Sequence, residues 1–355
     1  MRVSLKDVAE HAGVSIKTVS NVVNKYQHVT PAMRARVQQA IDELGYRPNL
    51  TARHLRKGRT GIIALAVPEL GNPYFAELAG AVIDAAAAHD FTVLLDHTRG
   101  DREQEVLVSQ GFRAGVIDGL ILSPLELEAE DLQSREGLDG RNGRNGRNGR
   151  NGRNDDVPLV LLGEREYDLP YDHIAIDNVA AARVAVRHLI GRGRSSIAYL
   201  GARTDSANRP AHLRLQGWRA ELAEAGIPAP DSLVGGVGGW NRDDGAKAMA
   251  RMLDSGVRPD AVFAYNDLVA IGAMRVLHER GLRVPWDVAV VGFDDIAEGQ
   301  FGAVTLTTIS PDKQAIARLA VASLLRSLEG AQTPGEHELT AEFRLVERES
   351  TLGRR

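Results

Sequence analysis

Three side chains near the N-terminus have types and spacing suited to reading nucleic acid. Ile16, Lys17 and Asn21, with Thr18 alongside, fall on the outward side of a short helical pattern opened by Ser15. A lysine ammonium addresses guanine acceptors, an asparagine amide pairs with adenine, and a branched alkyl group meets the thymine methyl. Each alone would be an ordinary solvated residue; together on one face they favour contact. Leu55 stands among Arg53, Arg56 and Lys57. It could wedge between base steps in a minor groove or, with equal support, pack on the rest of the protein as part of a flexible tether.

Catalytic chemistry has little to draw on. With no cysteine there is no thiolate nucleophile, no disulfide framework and no cysteine-held metal or iron–sulfur centre. The chain contains no P-loop, HExxH or GxSxG pattern. Gly235-Gly236-Val237-Gly238-Gly239 has neither the spacing nor the strand-to-helix position of a phosphate loop. Asp294 and Asp295 are adjacent at a strand end, so their carboxylates point different ways and an acid–base pair is not expected. No cofactor, no metal and no enzymatic activity are expected.

The base-reading side chains need a frame, and residues 1–46 supply one. Ser4, with Asp7 three places on, is a capping-box start for a helix on Leu5, Val8, Ala9 and Ala12, ended by Gly13. Ser15 caps a second helix through about Asn24, with Val19, Val22 and Val23 inward. Small Ala9 lets the two helices cross closely, and Gly13 makes the turn. This is a helix-turn-helix pattern, which brings the N-terminal residues of its second helix to base edges. Thr30 and Pro31 open a third helix that stops at Gly45. Residues 47–59 form a linker in which Asn49 and Gly58 bound about two turns of helix, too short to stand alone in water.

Charge is divided along the same boundary. The 355 residues carry a net charge of -4, but residues 1–60 hold eleven Lys/Arg against four Asp/Glu. A surplus of seven positive charges in the head leaves −11 on the remainder, the asymmetry expected when only a short module faces phosphate. No apolar leader opens the chain and no stretch of about 18 apolar residues occurs, so a cytoplasmic, nucleoid-associated protein without a membrane partner is expected.

From Thr60 onward, strand-like apolar runs alternate with helical patterns. Residues 62–67, 92–96, 119–122, 157–162, 173–176, 197–200, 261–264 and 288–291 read as buried strands. Helices fall at about 74–89, 102–113, 178–191, 211–225, 243–255 and 266–280. This is α/β with parallel sheets, and nearly 300 residues of it predict two lobes with a cleft between them. Ligands bind such sheets beyond the carboxyl ends of the strands. Between the two series, Gly-Arg-Asn repeats from 140 to 154; without aromatic residues to stack bases, it reads as a disordered inserted loop.

At this point the sequence resembles the LacI/GalR family of bacterial transcription regulators over essentially its whole length. The resemblance rests on residues 5–15 (LKDVAEHAGVS), Thr18-Val19-Ser20, Val22-Val23-Asn24 and residues 43–49 (ELGYRPN). In the body it rests on Gly217-Trp218, residues 263–267 (FAYND), residues 291–295 (VGFDD) and Leu306-Thr307-Thr308-Ile309. It implies a two-lobed periplasmic-binding-protein-like core of parallel sheets flanked by helices, behind an all-α helix-turn-helix DNA-binding head. Head, hinge and core would span 1–46, 47–59 and 60–355. The first lobe would take 60–165 and 294–323; the second would take 166–293 and 324–355.

By the same resemblance, Ile16, Lys17 and Asn21 occupy operator-reading positions, and Leu55 is the hinge leucine inserted at the operator centre. The implied effector cleft holds Arg214, Asn266 and Asp294. These suit a polyol: arginine donates in a fixed fork, aspartate accepts from paired hydroxyls, and asparagine does both. Trp240 lies where an aromatic platform could stack on a sugar face, and Asn72, Phe75, Asp96 and Glu164 could line the other wall. Helix capping and hinge bonding are the roles expected of Asp267 and Asp295.

The function implied is a transcriptional repressor that binds pseudo-palindromic double-stranded operator DNA as a homodimer under control of a small sugar or related metabolite. The alternative is a solute-binding protein for sugar transport, opposed by the basic head and the missing export signal. Asn21 stands where many relatives carry arginine or histidine, and the Gly-Arg-Asn insertion has no counterpart. No apolar heptads close the chain, which favours a dimer over a tetramer.

Overall fold

The computed structural model describes residues 3–23, 26, 28–46, 58–111, 115–132, 157–163, 171–203, 209–330 and 338–353. Leu55, Glu164 and the insertion at 140–154 lie outside them. The chain divides into two compact units, Met1–Gly61 and Ile62–Arg355.

In the first unit, α1 (Leu5–Ala12), α2 (Ile16–Val23) and α3 (Pro31–Leu44) close a small core of Val8, Ala9, Ala12, Val19, Val22, Val37 and Ala40. Ser4 and Asp7 form the expected capping box. Thr30 caps α3 with Pro31 following, and Gly13 and Gly45 end α1 and α3 in the left-handed conformation. Such local signals specify where each helix starts and stops, while the buried valines specify which faces meet.

In the second unit, the strands of the first sheet are β1 (Ile62–Val67), β2 (Thr92–His97), β3 (Gly119–Leu122), β4 (Leu159–Leu162) and β5 (Asp172–Ile176). Those of the second include β6 (Ile197–Ala202), β7 (Val234–Gly236), β8 (Ala261–Ala264), β9 (Ala289–Phe293) and β10 (Thr307–Pro311). Two late strands, β11 (Glu338–Ala341) and β12 (Phe343–Val346), complete one sheet each. The orders are β11-β5-β4-β3-β1-β2 and β12-β10-β9-β8-β6-β7. Every pairing is parallel except β10 with β12.

The helices that follow strands are α4 (Pro73–Ala87), α5 (Arg102–Ser109), α6 (Asn178–Gly191), α7 (Arg209–Glu224), α8 (Arg242–Asp254), α9 (Asp267–Glu279) and α10 (Lys313–Leu328), with short α11 (Glu349–Leu352) near the C-terminus. Asn72, Asp101, Asp177, Asn241, Asn266 and Asp312 cap the first turns of six of them. Helices α8 and α9 touch backbone to backbone, because Gly245 and Gly272 present no β-carbon where one would overlap the carbonyls of Val269 and Arg242.

Strand pairing corrects the lobe boundaries. Residues 172–176 belong to the first sheet and 307–311 to the second, while α10 packs on α4 and β11 returns to β5. The chain thus crosses between lobes at 176–178, 311–313 and 341–343, not near 166, 294 and 324. Hydropathy does not reveal this, because a buried strand is equally apolar in either sheet.

Candidate functional site

Two surfaces carry the chemistry. On the head, Ser15 Oγ accepts from the Thr18 N–H at 3.1 Å and caps α2, and the two hydroxyls lie 2.9 Å apart. The Thr18 hydroxyl therefore serves the cap. Buried Val19 and Val22 turn the opposite side outward: Ile16 is 49% exposed, Lys17 is exposed and Asn21 half-buried. The start of α2 therefore presents an exposed apolar group beside a cation.

In the body, a cavity of about 510 Å³ opens where the carboxyl ends of both sheets meet. The first lobe contributes Asn72, Tyr74 and Phe75 from the start of α4, Arg99 after β2, and Ser123 to Glu126 after β3. The second contributes Arg203 after β6, Arg214 from α7, Trp240 before α8, Tyr265 and Asn266 after β8, and Phe293 and Asp294 at the end of β9.

Arg214 is the most constrained of these. It is 5% exposed, donates from Nε to Asn178 Oδ1 at 2.7 Å and from Nη1 to the Tyr265 carbonyl at 2.5 Å. Its guanidinium carbon lies 3.4 Å from the Phe293 ring centroid and 4.6 Å from that of Tyr265. Tyr265 in turn stacks on Trp240 at 5.2 Å and 26°, and Arg203 lies 4.7 Å from the Trp240 centroid. Each cation therefore lies over at least one ring of the second-lobe wall, an arrangement favoured by the negative ring face. This wall combines fixed donors with flat apolar surface, suited to a polar molecule that also carries C–H faces.

Of the effector residues expected from the sequence, the cavity brings together Arg214, Asn266, Asp294, Trp240, Asn72 and Phe75. Asp96 is not in the wall. It stands opposite Ala66 in the β1–β2 register, and Ala66 packs into the core on the outer face of that sheet with Leu120 and Leu122. The wall is reached only three residues later, at Arg99.

The asparagines double as structural groups. Asn266 Oδ1 accepts from the Val269 N–H at 2.8 Å while its Nδ2 donates to the Trp240 carbonyl at 3.0 Å. Asn72 Oδ1 accepts from the Tyr74 N–H at 3.0 Å. Capping at α9 thus falls to Asn266 and not to Asp267, a correction to the role expected of Asp267. Buried Asp267 accepts from Thr308 Oγ1 at 2.6 Å and the Ile296 N–H at 2.9 Å. Burial, and then the nearby Asp294 charge, push its carboxyl well above the usual range. Asp295 turns away from Asp294 and meets Arg348 at 2.6 Å. The two carboxylates diverge as expected.

Sequence reasoning missed Tyr265, Arg203 and Arg99. Their signal was position just beyond a strand. It also missed Glu105, which is fully buried and accepts from the consecutive N–H groups of Leu125, Glu126 and Leu127 at 2.8, 2.9 and 2.9 Å, holding the loop after β3 in the cavity wall. Burial raises its carboxyl pKa against those three donors. Among the described residues no cluster of His, Asp or Glu could hold a metal ion.

Two α/β lobes joined by three crossovers around such a cavity define a ligand-binding body of the periplasmic-binding-protein type. Residues 186–351 match the periplasmic binding protein-like domain, and residues 4–49 match bacterial regulatory proteins of the lacI family. The chain is 33% identical over 325 residues to the ribose operon repressor of Escherichia coli strain K12, covering 92% of this chain and 93% of the relative. A putative transcriptional regulator of the LacI family from Sanguibacter keddieii is similar at 46% identity and TM-score 0.70, over 83% of this chain and 99% of that one. The lac repressor dimer bound to operator and an anti-inducer is similar at 30% identity and TM-score 0.73, over 99% of each chain. The chain belongs to the lacI family of bacterial regulatory proteins.

Proposed function

We propose that this protein is a repressor that binds pseudo-palindromic operator DNA as a homodimer and is controlled by a small sugar in the cavity between its lobes. What carries the reading is the joint presence in one chain of α2, with Ile16 and Lys17 outward, and a cavity walled by Arg214, Asp294 and an aromatic stack. A transport protein would need the cavity but not the head, and among the known relatives are an operator-bound repressor and the repressor of a ribose operon.

Ile16, Lys17 and Asn21 read base edges, and Leu55 wedges into the minor groove at the operator centre. Arg214 and Asp294 hold ligand hydroxyls, while Trp240, Tyr265 and Phe293 present apolar surface; Asn72 and Phe75 belong to the opposite wall. Self-association is supported by the exposed face of α4, where Ala76, Gly80, Ile83 and Ala87 recur at helical spacing and leave a smooth, weakly polar stripe. The protein acts in the cytoplasm, on the nucleoid, without catalysis.

The test is a mobility shift on the DNA upstream of its own and neighbouring genes, repeated with pentoses, hexoses and disaccharides. Retarded DNA released or tightened by one sugar is the expected result. Failure to shift any upstream fragment would overturn the reading. Coupling is reciprocal, so the operator must change the affinity for that sugar by the factor by which the sugar changes operator affinity.

A further inference from the structure

We infer that Lys313 and Glu77 form a clasp between the lobes that positions Asp294 in the cavity wall. The inference deepens the ligand-binding reading by assigning two residues that act on the site without touching what fills it.

The backbone that follows β9 is strained. Asp294 and Asp295 have φ of 111° and 51°, in the left-handed half of backbone space that non-glycine residues rarely adopt. Such a conformation persists only where the surroundings impose it. The Asp294 N–H donates to the Ile309 carbonyl at 2.8 Å, and the Asp295 carboxylate is held by Arg348. The two carbonyls are held by one group: Lys313 Nζ donates to Asp294 O at 2.6 Å and Asp295 O at 3.2 Å. That ammonium also pairs with Glu77 Oε2 at 2.6 Å and lies 5.6 Å from the Tyr74 ring centroid.

Lys313 opens α10 and Glu77 lies on α4, both in the first lobe, whereas Asp294 and Asp295 belong to the second. Glu77 crosses the same boundary itself, since its Oε1 accepts from the Ala297 N–H at 3.3 Å. One lysine and one carboxylate thus make three contacts across the lobe boundary beside the crossover at 311–313. One of the three meets the backbone of Asp294, which lines the cavity. Three donor directions on an ammonium suit this junction. The lysine side chain is 14% exposed, so the contacts are largely shielded from water. Tyr74, beside the ammonium, lines the cavity as well.

Spin labels on the two lobes test the clasp without DNA or ligand, so failure of the repressor reading leaves the test intact. The chain has no native cysteine, and Gln104→Cys on α5 and His278→Cys on α9 place labels at exposed positions of the first and second lobes. In this full-length background, Lys313→Met and Glu77→Gln should each broaden or shift the label–label distance distribution. The double variant should do no more than the larger single effect, because residues acting as a unit are non-additive. Amide exchange over residues 294–297 should rise roughly tenfold in Lys313→Met while α6 and α9 stay protected. Distributions identical to the parent in both single variants, or effects that simply add, would overturn the clasp. If Lys313→Met does not fold, the milder Glu77→Gln decides alone by the same distance measurement.

Discussion

Arg214 Nε donates to Asn178 Oδ1 at 2.7 Å, which ties the guanidinium in the cavity wall to the first residue of α6. Asn178 ends the crossover that follows β5, and its side-chain Nδ2 donates back to the Ile176 carbonyl at 3.4 Å. The cavity and one crossover are therefore two ends of one short hydrogen-bonded chain. Arg214 is thereby bonded to one of the segments that join the lobes.

Arg214→Lys should be costly although the charge is kept. An ammonium cannot replace the planar fork across Asn178 and Tyr265, so at least one buried oxygen loses its donor, at about 1–3 kcal/mol. Urea unfolding should show a lower midpoint at unchanged m-value, and thermal stabilisation by an active sugar should vanish. An unaltered midpoint would mean that these bonds do not form.

On the head, Lys17→Ala and Asn21→Ala should each weaken operator binding by about 1–3 kcal/mol in fluorescence anisotropy. Asn21→Ala should relax the preference at a single base pair. Both proteins should unfold like the parent, because neither side chain enters the core of the head. Equal affinity for operator and variant would place the base-reading face elsewhere.

The contact of α8 with α9 gives a sharper stability test. Gly272→Ala would drive a methyl group into the Arg242 carbonyl and Ala246 nitrogen, backbone atoms that cannot rotate away. Overpacking of this kind costs about 1–3 kcal/mol, and more where backbone must shift. Thermal unfolding should fall by many degrees, whereas Gly191→Ala at the end of α6, with open space at its β-position, should leave it almost unchanged. Similar transitions for the two would refute the close crossing.

His188 predicts a pH dependence. Burial lowers its imidazole pKa, outweighing Glu347 at 4.0 Å, and Nε2 lies 2.9 Å from Thr351 Oγ1 on α11. The folded state resists the proton, so below the ordinary imidazole value of about 6.5 the unfolded chain binds more protons. Stability should decline as pH falls through that value, and the decline should be shallower in His188→Gln. Denaturant titrations between pH 5 and 8 would show it; parallel curves for both proteins would exclude His188 as the cause.

Much of the architecture was legible wherever the controlling interaction is local. Ser4, Gly13, Thr30, Pro31 and Gly45 mark the helix ends of the head because each satisfies an orphan backbone group or a left-handed turn within four residues. Ile62–Val67 and Ala261–Ala264 announce themselves as buried strands by being apolar throughout. By contrast, Val234–Gly236, Glu338–Ala341 and Phe343–Val346 carry no such run. They are strands because an edge was open to pair with. The expectation for Asp96 failed for a related reason: proximity to a strand's end says nothing of the face, and a neighbour's register decides it.

Chain order alone thus specified the basic head, the capped helices and the α/β alternation, because caps, periodicity and charge act over a few neighbours; Arg214, Asn266 and Asp294 were implied by the family resemblance. It took the folded chain to assign β10 and β11 to their sheets, to lay Arg214 on Phe293, and to bring Lys313 to the carbonyls of Asp294 and Asp295. Those are meetings of residues 18 to 79 positions apart or of strands that could have joined either sheet. They are selected by which surfaces remain to be buried once the local elements exist.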